Sequence, residues 1–336
     1  MFFSRNKPQE TTTVEKSVSM NTTVNGSGFW NCSSLINPEA GKIGATVALS
    51  LSLVFSLVGN SLIVLIVYKT QTLRKPINLL IANMAISDLL YPTFLFPVLL
   101  VEMHVGSWFI GGTLGQALCK LHTFLADASS FVSIQSLVLI AVDRFVAVVF
   151  PLRSKVISCK LFPFVITATW IIALAFYSPW LNSAKVVEVK GRSVCSVIDI
   201  SDEIKSWQIA VVITNYIIII ITIVLLVILY SIIVIKLKLQ TRPGEQSNNA
   251  EKKRAKRNRK VLRMACAIVL AFSLCCVPML TLGFMSLFPK IMSSCGVPIF
   301  VFIAIFMYHV NCAVNPIICL IFSSNYRQGL KRLLKC

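Results

Sequence analysis

Seven apolar stretches leave this chain few ways to fold. They run over residues 44–68, 77–101, 121–149, 161–184, 207–235, 264–289 and 297–322. Each reaches the roughly 20 residues that a helix needs to cross the hydrocarbon of a bilayer. Five of them carry no charged residue, the second carries only Asp88, and the third carries Asp127, Asp143 and Arg144. Charged residues make up 13% of the 336-residue chain, against roughly 25% in soluble domains, and the mean hydropathy is +0.79. The pattern predicts an all-α membrane protein, a seven-transmembrane helix bundle. Prolines inside several stretches fit such a bundle, because neighbouring helices can cover the carbonyls they free.

Basic residues set the expected orientation. The segments after the first, third, fifth and seventh stretches hold 21 Lys and Arg, whereas the opposite loops together with Lys42 hold 7. The basic side is expected in the cytosol. The N-terminal region carries three sequons, at Asn21, Asn25 and Asn31, which place it on the other side if they are glycosylated. Both signals describe a multi-pass plasma-membrane protein with an extracellular N-terminus and a cytoplasmic C-terminus. Residues 1–42 read as a disordered, glycosylated extracellular tail, rich in Ser, Thr and Asn and without periodicity. Their first part lacks the apolar core of a signal peptide. Residues 43–322 form the seven-transmembrane domain. Residues 323–336 form a short amphipathic eighth helix and tail, with Tyr326, Leu330, Leu333 and Leu334 spaced among basic residues. Cys336 there is either a palmitoylation site or simply terminal. The net charge of +19 sits in short segments beside the apolar stretches, which points to membrane lipids rather than nucleic acid.

Asp143 and Arg144 stand side by side near the end of the third stretch. Ionisable groups are expensive in hydrocarbon, so such a pair lies at the membrane edge or at a polar contact inside a bundle. The basic run 252–260 reads either as a solvated topogenic charge run or as a helix continuing into the cytosol to touch a partner or anionic lipid.

With these residues in view, the chain resembles the rhodopsin-like G-protein-coupled receptors over about residues 43–336. The resemblance rests on Gly59-Asn60 in the first stretch and Leu80 to Leu89 around Asp88 in the second. It continues with Cys119 at the start and Asp143-Arg144-Phe145 at the end of the third helix, Trp170 in the fourth, and Tyr230 in the fifth. Phe272 to Pro278 mark the sixth, and Asn315-Pro316-Ile317-Ile318-Cys319 the seventh. The chain departs from the family pattern at Phe145 in place of Tyr, Cys276 in place of Trp, Cys319 in place of Tyr, and Thr222 near a usual proline.

The resemblance implies a receptor, not an enzyme, that binds an extracellular peptide or small-molecule ligand and activates a heterotrimeric G protein. It implies a Cys119–Cys195 disulfide. Cys32 and Cys295 are also on the outer side and are candidates for a second bridge. It implies that Asp143, Arg144, Tyr230, Asn315 and Pro316 act in coupling and switching. Asn258 occupies the place of an acid that often restrains the arginine, so some ligand-free activity is expected. Asp88, Asn60, Ser133, Asn311 and Asn315 are the positions that line a sodium site in the family; the alternative is a sodium-free polar network around a protonated Asp88. No other cofactor is expected.

Ligand identity is less legible. The positions inferred for the pocket are Thr123, Ala126, Asp127, Ser130, Thr214, Met279, Leu280, Ile305 and His309. Ala126 stands where amine receptors of this family carry an acid, and Asp127 is one helical step of about 100° further round, which argues against a monoamine. His309 reads as a core histidine as readily as a ligand contact. Trp108 and the charged second outer loop look most like neuropeptide receptors. The alternatives are a receptor for a lipid or other apolar small molecule and, more distantly, a transporter or channel, for which internal repeats and further embedded charges are missing. The three histidines, His104, His122 and His309, are scattered, and no phosphate loop or nucleophile motif supports an enzyme.

Overall fold

The structure is a computed structural model, and it describes residues 38–150, 161–189, 191–196, 206–239, 249–285, 288 and 297–334. Seven of its helices are long and apolar enough to cross a membrane. The spans lie in α1 (Pro38–Lys69), α2 (Pro76–Val105), α3 (Gly112–Val149), α4 (Phe162–Tyr177) with its continuation to Ser183, α5 (Ser206–Leu239), α6 (Asn249–Met285) and α7 (Val297–Phe322). One further turn, Trp180–Ser183, extends α4, and a short amphipathic helix α8 (Ser324–Leu333) follows α7. The expected bundle with an eighth helix is therefore present. One of its boundaries differs from the sequence reading, and another matches one of the two readings offered there. α1 begins at Pro38 rather than after residue 42, with a proline in its first turn, where the missing N–H has no helical partner to lose. α6 begins at Asn249, so the basic run 252–260 lies on a helix continuous with the sixth span.

The sequence reading did not foresee a β-hairpin. Strands β1 (Lys185–Val189) and β2 (Arg192–Ser196) pair antiparallel, with Val186 opposite Cys195. The link is Lys190-Gly191, and Gly191 takes φ +74°, a region open to glycine and strained for most other residues.

The bundle inverts the surface logic of a soluble protein. Val47, Leu51, Val54, Phe55 and Val58 on α1 and Ile217, Ile220, Ile221, Val224 and Ile228 on α5 are exposed, as lipid-facing residues must be. Ile66, Leu80, Leu226 and Ile233 are fully buried between helices. Small residues set the helix approach. At Gly59 an added Cβ would sit 2.7 Å from the Pro316 ring, and so glycine lets α1 close on α7.

Candidate functional site

The centre of the bundle is polar, and α1 is its hub. Proline at position i cannot bond the carbonyl at i−4. Pro92 in α2 therefore frees the carbonyl of Asp88, and Pro316 in α7 frees that of Cys312. Two α1 residues one turn apart take up both. Ser56 Oγ donates to Asp88 O at 2.9 Å, and Asn60 Nδ2 donates to Cys312 O at 2.9 Å and to Ser56 O at 3.0 Å. The Asp88 side chain, 3% exposed, accepts a hydrogen bond from Asn315 Nδ2 at 2.7 Å, with Ser133 of α3 within hydrogen-bonding reach.

A cavity of about 20 Å³ lies beside Asp88, lined among others by Tyr91, Ser130, Ser133, Tyr308 and Asn311. That is room for roughly one small ion or water. Asn311 Oδ1 is buried here with no partner, an arrangement that ordinarily calls for a donor or a cation. Asp88, Ser133 and Asn311 thus bring three oxygen-bearing side chains to one space, a donor set suited to a hard monovalent cation. Asn60 and Asn315 stand beside this cavity's lining: Asn60 serves the proline-freed carbonyl, and Asn315 Nδ2 donates to the Asp88 carboxylate. Spacing did not single out Tyr91 or Tyr308. A signal existed, since Tyr91 lies three residues after Asp88 and Tyr308 three before Asn311, each on the same helix face as the acid or amide. A second polar knot, also missed, ties α2, α3 and α4 together. Trp170 Nε1 donates to Asn83 Oδ1 at 3.0 Å, and Asn83 Nδ2 donates to Ser136 Oγ at 2.9 Å.

At one end of α3, Arg144 pairs with its neighbour Asp143; its Nε lies 3.1 Å from Asp143 Oδ2. The two side chains are 18% and 12% exposed. Tyr230 of α5 is buried with its hydroxyl unpartnered and lies within electrostatic reach of Arg144. Cys319 is 1% exposed. The α6 helix passes this end, but the side chain of Asn258 lies outside the described residues.

At the other end the hairpin is fastened to α3. Cys119 and Cys195 are joined by a disulfide. The Gln116 side chain grips Val186 on β1, accepting from its N–H at 3.0 Å and donating to its C=O at 3.1 Å. Trp108 N donates to Ser193 O at 2.6 Å. Below this lie the positions inferred for a pocket. Of the nine, only Ser130 lines the space beside Asp88. Ala126 is packed with Tyr91, Phe96 and Cys312. Thr123 and Thr214 bond back to carbonyls of their own helices. Met279, Leu280 and Ile305 are half-buried, and Leu280 packs on the main core. His309 Nδ1 is hydrogen-bonded to the Tyr91 hydroxyl, bridging α2 and α7. Asp127 is tied to α4, accepting from Trp180 Nε1 at 2.9 Å. Cys32, Cys295, Cys336 and the sequons at Asn21, Asn25 and Asn31 lie outside the described residues.

Seven apolar helices, a polar centre with one buried acid, and a part-buried Asp-Arg pair at the end opposite a disulfide-pinned hairpin define a seven-helix membrane receptor. Residues 59–318 match the family model described as 7 transmembrane receptor (rhodopsin family), and the chain belongs to that family. It is similar to the RYamide receptor of Drosophila melanogaster, 24% identical over 294 residues, covering 84% of this chain and 61% of that receptor. It is similar to the QRFP-like peptide receptor of Branchiostoma floridae, 26% identical over 309 residues (89% and 80%). It is also similar to the somatostatin receptor type 5 of Rattus norvegicus, 28% identical over 281 residues (82% and 73%). The protein is a multi-pass receptor of the plasma membrane and not an enzyme.

Proposed function

We propose that this receptor binds an extracellular peptide at its hairpin end and answers by engaging a heterotrimeric G protein at its Arg144 end. The hairpin and N-terminus face outward, and the C-terminus faces the cytosol. The orientation is supported by the 21-to-7 division of basic residues. The ligand class is supported by the names of the relatives, which are receptors for RYamide, QRFP-like peptide and somatostatin. The observation that carries the signalling half is the Asp143–Arg144 pair. Arg144 pairs with its own helical neighbour, so a small shift frees a cation without breaking a helix-to-helix lock. A partly exposed pair of this kind is worth up to about 1 kcal/mol.

The test uses cells expressing the full chain with a promiscuous G protein and a peptide library. A peptide hit is expected, with ligand-free nucleotide exchange above mock-transfected cells. Asp143→Asn should raise that basal exchange by up to about fivefold, the factor equivalent to 1 kcal/mol, and Arg144→Ala should abolish both basal and evoked exchange. Activation by lipids and no peptide would displace the ligand reading; full exchange in Arg144→Ala would displace the signalling reading.

We further propose that the Asp88 cavity takes a sodium ion, held by Asp88, Ser133 and Asn311. The ion would neutralise the buried carboxylate and use the orphaned Asn311 oxygen. Raising sodium at constant ionic strength should then raise the melting temperature of the purified receptor by a few degrees, and Asp88→Asn should erase that response. An Asp88→Asn variant as sodium-sensitive as the parent would remove the ion from this site.

A further inference from the structure

At the hairpin end of the bundle, α1 and α2 meet round a single hydroxyl. Thr46 Oγ1 of α1 donates to Lys42 O at 2.8 Å, one turn back on its own helix. The same oxygen lies 2.7 Å from His104 Nε2 and 3.8 Å from Met103 Sδ, both in the last turn of α2. His104 is exposed, and Lys42, Thr46 and Met103 are half-buried, so the group opens to the surface. Just past this end of α2, Trp108 N–H meets Ser193 O on the hairpin.

A hydroxyl carries one hydrogen. Three groups with lone pairs surround this one: the Lys42 carbonyl, the Met103 thioether and the His104 imidazole. With the hydrogen on Lys42 O, the imidazole must donate from Nε2, and the sulfur receives nothing. An imidazole nitrogen and a thioether sulfur from adjacent residues thus face one small polar atom that cannot serve both. A thioether is a weak hydrogen-bond acceptor but a good ligand for soft ions. Imidazole suits copper, and the thioether selects its monovalent state. With bonds of about 2.0 Å to nitrogen and 2.3 Å to sulfur, as for zinc, a two-coordinate ion needs the two atoms roughly 4 Å apart. Their distances to the shared hydroxyl permit that spacing. Zinc asks for four ligands, and among the described residues no three His, Cys, Asp or Glu side chains converge to begin such a set. A linear ion has no such need.

We propose that Met103 and His104 form a binding site for monovalent copper at the hairpin end of α1 and α2. The ion takes the place of the Nε2 hydrogen. The neutral imidazole then carries its hydrogen on Nδ1, so no net proton is released. Thr46 keeps its bond to Lys42 O and gives up only its contact with the imidazole. The site is separate from the Asp88 cavity, whose oxygen donors suit a hard ion. That the copper is extracellular rests on the outward orientation proposed above; the binding itself does not.

The experiment titrates Cu(I), held reduced by ascorbate without oxygen, into the full chain in lipid nanodiscs after N-ethylmaleimide has blocked the accessible thiols. Uptake in competition with a coloured Cu(I) chelator is read beside thermal unfolding. The parent should take up one copper more than Met103→Leu or His104→Gln, and its melting temperature should rise by about 2 °C where theirs does not. Leu is close to Met in volume, so Met103→Leu removes the sulfur and leaves the packing. Thr46→Val removes the hydroxyl but neither ligand, and should still take up the ion. Copper-edge X-ray absorption of the parent should show nitrogen and sulfur bound to the metal, and Zn(II) at the same concentration should leave the melting temperature unchanged. If the Thr46–His104 bond only ties α1 to α2, both of its variants melt lower with or without copper and no uptake differs. That pattern, equal uptake in the parent and Met103→Leu, or a zinc response as large as that of copper would each overturn the proposal. No peptide and no transducer enters the measurement, so its outcome is independent of the receptor screen.

Discussion

Asn60 and Ser56 show how single side chains let a proline-containing bundle exist in lipid. Without them, the carbonyls of Cys312 and Asp88 would be buried with no donor, at about 1–3 kcal/mol each. The prolines and the α1 side chains are therefore coupled, and the coupling is measurable. Asn60→Ala should lower the melting temperature by several degrees. In a Pro316→Ala background the helix regains its own N–H for the Cys312 carbonyl, so the same Asn60 change should cost less than half as much. A double-mutant cycle on the purified receptor gives the coupling term directly, and strictly additive losses would show that Asn60 does something other than satisfy that carbonyl. The sequence showed Asn60 and Pro316 as separate signatures. Which carbonyl joined them was not legible, because it depends on how α1 is rotated against α7, and that rotation follows from the absence of a side chain at Gly59.

At the scale of the element, α8 is held by three contacts of different kinds. Arg327 Nη1 donates to the carbonyls of Leu320 and Ile321 at the end of α7, the Tyr326 ring is 1% exposed in the core, and Gly329 lies against α1. An added Cβ at Gly329 would meet Ile66 Cγ2 at 2.5 Å. Gly329→Val should wedge α8 off α1 and raise amide exchange across residues 324–333 by at least tenfold, while exchange in α3 stays unchanged; an α8 as protected as in the parent would show that the Ile66 contact is slack. Amphipathic spacing made α8 readable, but not its contacts. Leu334, counted among its apolar positions, is 76% exposed, whereas Gly329, which looks like a helix breaker, is buried at the interface. The hairpin was legible in principle. Two β-rich pentamers flank Lys190-Gly191, but the eye goes to the charges in this loop, and a five-residue strand is a far weaker signal than a 20-residue apolar run.

For the whole molecule, orientation and coupling draw on the same basic residues, and they can be separated by arithmetic. The run 252–260 holds seven Lys and Arg. Replacing all seven with Gln leaves 14 basic residues on that side against 7 on the other, a bias still in the original direction, so the topology should survive. A tag at the N-terminus should still stain on intact cells, and one at the C-terminus only after permeabilisation. The run lies on α6, whose helix continues unbroken from Asn249 into the sixth span, so it projects beside Arg144's end of the bundle as part of a rigid rod and not as a slack loop. Loss of those charges should therefore reduce evoked nucleotide exchange severalfold at unchanged surface expression, and the deficit should deepen with salt if charge steers the encounter. Full exchange with correct topology would assign the run to membrane insertion alone. Inverted tags would show that it outweighs all the other basic residues combined, and the orientation argued from their sum would then be wrong.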